Sequence, residues 1–165
     1  MSTRPDTRIS VVIAEDHLIY RQSVVRALER SRCIRVLAEA SDGRAAWDAI
    51  RELKPDVAVL DYRMPLMDGT HVARLASFTS DIATRVLILS AFTESSSVYK
   101  AVEDGAAGFL NKEVEPSHLV DAVVACAAGN TVLPADFAPG LLREIRKRSH
   151  KPLVANVPFG LDCDR

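Results

Sequence analysis

The chain has 165 residues, a net charge of −1 and a composition that is 48% hydrophobic and 26% charged. The length suits one domain with an appendage, the composition excludes wholesale disorder, and the balanced charge excludes a dominant basic surface for nucleic acid or anionic lipid. No apolar run approaches the length of a membrane helix, and the amino terminus lacks a signal-peptide core, so we expect no membrane partner.

The cysteines and histidines are few and scattered. Neither the three cysteines nor the four histidines show the spacing of a metal or redox site, so a histidine-based metal centre is not expected. An odd, dispersed set of cysteines is typical of reduced thiols, which favours a cytoplasmic location.

Apolar runs and helical patterns alternate along the chain after a flexible leader at residues 1–8. Uninterrupted apolar runs predict buried strands, and apolar residues at helical spacing predict the helices between them. In the first helix this spacing places Leu18, Val25 and Leu28 on one face. The predicted strands cover residues 9–14, 34–40, 57–61, 85–89 and 109–112, and the predicted helices cover residues 17–31, 43–53, a short segment after Gly69, 95–104 and 116–128.

This alternation predicts an α/β domain over residues 9–130, with a doubly wound, five-stranded parallel sheet and helices on both faces. Residues 131–148 are predicted to form a linker whose basic helix covers residues 141–148. Residues 149–165 contain prolines and a glycine without clear periodicity, and they are predicted to form an irregular tail.

The third predicted strand ends in a carboxylate, Asp61, after four apolar residues. The Met64-Pro65 and Asp68-Gly69 pairs then prevent regular continuation, so Asp61 lies at the mouth of a loop. In open α/β sheets, ligands bind at this carboxyl edge of the strands. Taken alone, Asp61 could equally be a structural residue that caps the loop.

Other predicted strands bring polar groups to the same edge: Glu15 and Asp16 follow the first, Ser90 the fourth, and Lys112 ends the fifth. Crowded carboxylates resist ionisation unless a cation lies among them, and Mg²⁺ prefers such oxygen ligands. The set suits phosphoryl transfer to a carboxylate nucleophile, with Lys112 supplying positive charge and Ser90 a hydroxyl donor. The acidic pair could also cap the first helix, and each residue alone could be an ordinary surface or strand-end group.

In the order of these motifs, the sequence resembles the CheY-like receiver domain of two-component response regulators over about residues 8–130, a family with a flavodoxin-like fold. The resemblance implies that Asp61 is the phospho-acceptor and that Ser90 and Phe109 form the switch pair. Lys112 matches the lysine of the family's site. The implied Mg²⁺ ligands are Glu15, Asp16, Asp61 and the backbone carbonyl of Arg63. Arg63 and Phe92 are implied to flank the phosphoryl group and to slow its hydrolysis.

Two features depart from the general family pattern. Glu113 follows Lys112 where the family often has proline, which is common in the subgroup that carries a LuxR-type helix-turn-helix output. The stretch from Gly129 to Pro134 resembles that subgroup's linker. No helix-turn-helix follows it, so DNA binding is expected only through an output domain absent from this chain.

The resemblance implies a phosphorylation switch rather than an enzyme with turnover. A sensor histidine kinase or small phosphodonor would phosphorylate Asp61, the surface of the fourth and fifth helices would change, and homodimerisation would increase. Slow autodephosphorylation would reset the switch. The alternatives are a pseudo-receiver that binds partners without phosphorylation and an aspartyl-phosphate phosphatase. A phosphatase of that kind needs a second aspartate at the position that Arg63 occupies.

Overall fold

The computed structural model describes residues 5–135 and 137–148, which form a parallel sheet covered by helices. The strands are β1 (Ile9–Ala14), β2 (Ile34–Ala40), β3 (Val57–Asp61), β4 (Arg85–Ser90) and β5 (Gly108–Asn111). The helices are α1 (Leu18–Glu29), α2 (Gly43–Leu53), α3 (Gly69–Phe78), α4 (Ser95–Glu103), α5 (Pro116–Ala127) and α6 (Ala138–Arg148). The predicted doubly wound fold is therefore confirmed.

The strands lie in the order β2-β1-β3-β4-β5, and every neighbouring pair is parallel. From β1 the chain first runs outward to β2 and then returns to the other side of β1 to form β3. The winding direction therefore reverses between β1 and β3, which opens a crevice at their carboxyl ends. Glu15 directly follows β1 and Asp61 is the last residue of β3, so both acidic groups lie at this crevice.

Each central strand is buried on both faces, which is why its sequence reads as a continuous apolar run. In β3, Ala58 and Leu60 join the cluster beneath α2, α3 and α4, whereas Val57 and Val59 join the cluster beneath α1 and α5. The two clusters fix the strands between two helical layers. Of the described helices, none has both the length and the hydropathy that crossing a membrane requires.

The first helix differs from its prediction. Leu18 is 54% exposed, and the side chains of α1 that are fully buried are Val24 and Leu28. Leu18 is the first residue of α1, ahead of the turns that carry Val24 and Leu28 into the core. Asp16 is not the N-cap residue of this helix. That residue is His17, whose side chain makes no capping bond and whose amide donates to Glu15 Oε1.

The chain beyond α5 stays attached to the sheet. Val132 forms a parallel bridge with Gly108 and accepts a hydrogen bond from the Phe109 amide at 2.8 Å. Phe137 packs against the core cluster under α4, and α6 lies beside α4. The predicted basic helix is present and begins earlier than expected, at Ala138. The predicted tail at 149–165 lies outside the described residues.

Candidate functional site

Asp61 is held at the mouth of a tightly closed loop. The Tyr62 amide donates to the Leu89 carbonyl at 2.8 Å, which continues the β3–β4 pairing, and the Gly69 amide donates to the Tyr62 carbonyl at 3.0 Å. A Cβ atom on Gly69 would lie only 2.2 Å from the Asp61 carbonyl oxygen. Because of this close approach, a glycine is needed where the loop returns to begin α3.

Three carboxylates meet at the crevice between β1 and β3. One oxygen each of Glu15, Asp16 and Asp61 lies within 4.8 Å of the others. Glu15 and Asp61 are buried, whereas Asp16 is exposed. Glu15 Oε1 accepts a hydrogen bond from the His17 amide at 3.1 Å, and Arg21 Nη1 donates to the Glu15 carbonyl at 2.7 Å. These bonds fix the turn that carries the acidic pair.

Lys112 reaches the acidic cluster from the end of β5. Its Nζ lies 2.7 Å from Glu15 Oε2 and 3.2 Å from Asp61 Oδ1, and its side chain is 18% exposed. The Lys112 amide donates to the Ser90 carbonyl at 2.9 Å. This hydrogen bond fixes the main chain of Lys112 beside the end of β4. The ammonium thus bridges the two buried carboxylates.

The electrostatics of the site leave Asp61 difficult to ionise without a further cation. Burial and the negative charge of Glu15 raise the pKa of Asp61 from 3.8 to about 7, although Lys112 opposes the shift. Burial lowers the pKa of Lys112, but its hydrogen bond to Glu15 and the negative charge of Asp61 outweigh this effect and raise that pKa above its ordinary value. One ammonium therefore does not balance the carboxylates around it.

The donor set fits a hard divalent cation. Glu15, Asp16 and Asp61 offer carboxylate oxygens, with no sulfur or imidazole ligand among them. Lys112 contributes one positive charge to this cluster, through contacts of 2.7 Å with Glu15 and 3.2 Å with Asp61. Three carboxylates beside one ammonium retain negative charge that a metal ion would neutralise. The acidic pocket can thus bind a metal, as its sequence pattern predicts.

The switch residues predicted from the sequence lie beside this cluster. Ser90 is buried at the end of β4, and its Oγ accepts a hydrogen bond from the Phe92 amide at 3.0 Å. Phe109 is fully buried and packs edge-to-face against Tyr62, with ring centroids 6.3 Å apart. The Ser90 hydroxyl oxygen therefore accepts a hydrogen bond from the loop that follows β4. The Phe109 ring faces the core in this structure.

Arg63 and Phe92 form a contact at the rim. The Arg63 guanidinium lies over the Phe92 ring at 5.6 Å, and Phe92 is 58% exposed. The pair connects the loop after β3 with the loop after β4 through a cation–π contact.

Two residues of α1 that the sequence analysis did not single out contact the site. Arg21 supports the Glu15 main chain, and Tyr20 places its ring 4.8 Å from Lys112 Nζ while its hydroxyl donates to the Lys112 carbonyl at 3.2 Å. Burial and the charges of Glu15 and Asp61 raise the pKa of Tyr20 to about 12, so the phenol stays protonated. Their position in the first turns after the acidic pair is the signal that could have identified them.

Comparisons with known proteins identify the family to which this chain is similar. A sequence model described as "Response regulator receiver domain" matches residues 11–124. The chain is 45% identical over 149 residues to the probable transcriptional regulatory protein NarL of Mycobacterium tuberculosis, covering 90% of this chain and 68% of that protein.

Solved structures show the same similarity. The signal receiver domain of the putative response regulator NarL from Mycobacterium tuberculosis matches with a TM-score of 0.73 and 46% identity, over 74% of this chain and 98% of that chain. A LuxR-family two-component response regulator from Aurantimonas matches with a TM-score of 0.75 and 33% identity, over 83% of this chain and 97% of that chain. With its doubly wound fold, this chain therefore belongs to the response regulator receiver domain family, whose members are phosphorylation switches of two-component signalling.

Proposed function

We propose that Asp61 is the residue of this receiver that accepts the phosphoryl group. The observation that carries the proposal is the Lys112 ammonium, which lies 2.7 Å from Glu15 and 3.2 Å from Asp61 within a cluster of three carboxylates. Phosphoryl transfer depends mainly on positioning and on neutralising charge, and this cluster provides a nucleophile beside a fixed cation.

The transfer converts a carboxylate into an acyl phosphate. An oxygen of Asp61 attacks the phosphorus of phosphohistidine or of a small acyl phosphate, and the bond from phosphorus to the donor breaks. The leaving imidazole or carboxylate keeps the bonding electron pair. Lys112, already 3.2 Å from Asp61 Oδ1, is placed to pair with an oxygen of the arriving phosphoryl group.

Mg²⁺ is the metal that we assign to the acidic pocket. Glu15, Asp16 and Asp61 would hold it, with the backbone carbonyl of Arg63 as a further ligand. When bound, Mg²⁺ neutralises negative charge on the carboxylates and on the phosphoryl oxygens. Of the three carboxylates that would hold the ion, Glu15 and Asp61 are buried and Asp16 is exposed.

The output of the switch is a rearrangement beside β4 and β5. In the proposed phosphorylated state, the Ser90 hydroxyl leaves the Phe92 amide and donates to a phosphoryl oxygen. The loop after β4 follows Ser90 inward, and the Phe109 ring rotates into the space that the loop vacates. Phosphorylation thus shifts a population between two packings, and the surface of α4 and α5 changes with it.

The partners we propose follow from family membership. A sensor histidine kinase donates the phosphoryl group, and the changed α4 and α5 surface favours a homodimer. Autodephosphorylation is slow, and the relatives' names as transcriptional regulators support a transcriptional output, with DNA bound by a separate output domain. The free thiols of Cys33 and Cys126 favour a reducing compartment, the cytoplasm.

The test is the intact mass of the protein after incubation with acetyl phosphate and Mg²⁺. We expect one added phosphoryl group in the wild type, none in Asp61→Asn, and none when the metal is chelated. Asp48→Asn is the matched control, because Asp48 is an exposed aspartate whose carboxylate pairs with Arg51 on α2, away from the pocket. This control should be labelled like the wild type.

Other results would support the alternative functions. Labelling that persists in Asp61→Asn would show that another residue accepts the phosphoryl group. If no variant is labelled and the protein does not bind beryllofluoride, the pseudo-receiver function is favoured. Multiple turnover of a small phosphate ester would favour a phosphatase. Size-exclusion chromatography with light scattering tests dimerisation, which we expect only with beryllofluoride and Mg²⁺ present together.

A further inference from the structure

Tyr20 contacts both ends of a single residue, Lys112. The Tyr20 hydroxyl donates to the Lys112 carbonyl at 3.2 Å, and the Lys112 ammonium lies 4.8 Å from the centroid of the Tyr20 ring. The two residues are 92 positions apart in the sequence. The tyrosine belongs to the first turn of α1, whereas the lysine follows β5, so the contact joins opposite sides of the site.

The ring limits where the lysine ammonium can go. A lysine side chain has four rotatable bonds, and an unconstrained ammonium would extend toward water. Here the Nζ is bounded by Glu15 Oε2 at 2.7 Å, by Asp61 Oδ1 at 3.2 Å and by the face of the Tyr20 ring. The aromatic face attracts the cation without taking a proton-accepting position, so the ammonium keeps its hydrogen bonds for the carboxylates.

The hydroxyl fixes the base of the same side chain. The Lys112 amide is already bonded to the Ser90 carbonyl at 2.9 Å, and Tyr20 adds a bond to the Lys112 carbonyl on the other side of the residue. The main chain of Lys112 is therefore held at both its amide and its carbonyl. A fixed base and a fixed tip together hold the lysine in one place as Asp61 reacts.

We propose that Tyr20 is a positioning residue for phosphoryl transfer, which keeps the Lys112 ammonium beside Asp61 through its ring face and anchors the Lys112 main chain through its hydroxyl. In this role Tyr20 acts through Lys112, the residue that its ring and hydroxyl contact. The inference rests on the proposed function, because it takes Lys112 as the cation that receives the phosphoryl oxygens.

The kinetic test compares Tyr20→Leu with Tyr20→Phe at saturating Mg²⁺, using the rate of labelling by acetyl phosphate. Loss of the ring should slow labelling about tenfold, and the phenylalanine variant should recover most of that loss and stay within about threefold of the wild type. Ile19→Ala is the matched control, because Ile19 is the preceding residue of the same turn and is 75% exposed. It should label at the wild-type rate.

The mechanism is tested by removing the lysine. In a Lys112→Ala background, Tyr20→Leu should change the labelling rate less than twofold, because its effect passes through the ammonium. Mg²⁺ affinity should stay within about twofold of the wild type in Tyr20→Leu, since Tyr20 is not a ligand. A tenfold loss that persists without Lys112, or a parallel loss of Mg²⁺ affinity, would show a general disturbance of the fold and overturn the inference.

NMR spectroscopy detects the contact between Tyr20 and Lys112 in the unphosphorylated protein. The ring current of Tyr20 should move the proton resonances of the Lys112 ε-methylene upfield in the wild type and in Tyr20→Phe, and this shift should vanish in Tyr20→Leu. An unshifted wild-type resonance would overturn the inference. Absence of labelling in the wild type would instead count against the proposed function, so the two failures are distinguishable.

Discussion

Lys112 and Glu15 lie 97 residues apart in the sequence and are joined by a hydrogen bond of 2.7 Å between Nζ and Oε2. The lysine therefore occupies the acidic pocket as its resident cation. A metal ion that enters the same pocket has to share the carboxylates with this ammonium. The positive charge that serves an incoming phosphoryl group thus opposes the binding of Mg²⁺.

Removing this ammonium should tighten metal binding. We expect Lys112→Ala to strengthen Mg²⁺ binding by roughly 1–2 kcal/mol, because an unfavourable cation–cation interaction is lost. Isothermal titration calorimetry at a pH above 8 measures the affinity. Lys100→Ala is the control, since Lys100 pairs with Asp104 on α4 and should leave Mg²⁺ affinity unchanged. Weaker binding in Lys112→Ala would contradict the competition.

Asp61 should destabilise the metal-free protein at high pH. Burial and the charge of Glu15 raise its pKa from 3.8 to about 7 in the folded state, so the folded state binds this proton more tightly than the unfolded chain does. The stability from that proton is present below the ordinary pKa and is lost as the pH rises through about 7. We therefore expect Asp61→Asn to raise the free energy of unfolding by roughly 2 kcal/mol at alkaline pH.

The measurement is urea denaturation with a chelator present, at about pH 5 and about pH 8. The stabilisation by Asp61→Asn should be larger at the higher pH, because only there is the wild-type carboxyl group ionised in the folded protein. Saturating Mg²⁺ should reduce the difference by stabilising the ionised wild type. A gain that is equal at both pH values would mean that the charge of Asp61 is not its cause.

The close approach at Gly69 should make this position intolerant of any side chain. In Gly69→Ala the new Cβ would meet the Asp61 carbonyl oxygen at 2.2 Å, so the loop has to move and we expect a loss of roughly 2–4 kcal/mol. Gly129→Ala is the comparison, because Gly129 has a φ of 92° but no atom within 4 Å of an added Cβ. Conformational strain alone should cost about 1 kcal/mol there.

Urea denaturation of both variants separates the clash from the backbone strain. Gly69→Ala should also weaken Mg²⁺ binding, since the loop that moves begins directly after Asp61, whereas Gly129→Ala should bind Mg²⁺ like the wild type. Equal losses of stability with unchanged Mg²⁺ affinity in both would show that the loop absorbs the side chain without displacing Asp61.

The contact between Arg63 and Phe92 should lengthen the lifetime of the acyl phosphate. Phe92→Ala removes the ring that lies 5.6 Å from the Arg63 guanidinium, which opens the rim to water. We expect the phosphoryl group to hydrolyse about threefold faster, because a surface cation–π contact of this kind contributes about 0.5–1 kcal/mol. Decay of the phosphorylated mass after removal of acetyl phosphate gives the rate.

Phe78 supplies a matched control for this measurement. Its ring lies 5.7 Å from the Arg74 guanidinium and is 79% exposed, but the pair is on α3 and outside the acidic pocket. Phe78→Ala should leave the hydrolysis rate unchanged. If Phe78→Ala and Phe92→Ala both lose phosphate faster than the wild type and at equal rates, the effect comes from general destabilisation.

The sheet, and the grouping of the acidic residues with Lys112 at one edge of it, could be predicted from the sequence because each rests on a local pattern. A strand buried on both faces, such as β3, reads as an apolar run, and Asp61 ends that run at the edge where ligands bind. The parallel order of the strands then brings Glu15 and Lys112 to the same edge. Topology alone was enough to unite residues far apart in the chain.

The remaining features depend on side-chain directions that a single sequence does not specify. Leu18 fits the apolar spacing of α1, yet as the first residue of that helix it is 54% exposed. Tyr20 carries no motif of its own, and its contact with Lys112 arises from where α1 meets the end of β5. The partner of the Ser90 hydroxyl, the Phe92 amide, likewise depends on how the loop after β4 folds back.

The bridge between Gly108 and Val132 determines where a recombinant fragment of this protein can end. A fragment that stops at Asn130 loses the carbonyl that accepts the Phe109 amide at 2.8 Å and leaves a buried donor without a partner, at a cost of about 1–3 kcal/mol. It also removes the fully buried Val132 side chain from the cluster beneath α5. A chimera that joins this receiver to a foreign output should therefore place its junction after Phe137, whose ring packs against the core cluster that includes Val98 and Ala101 of α4.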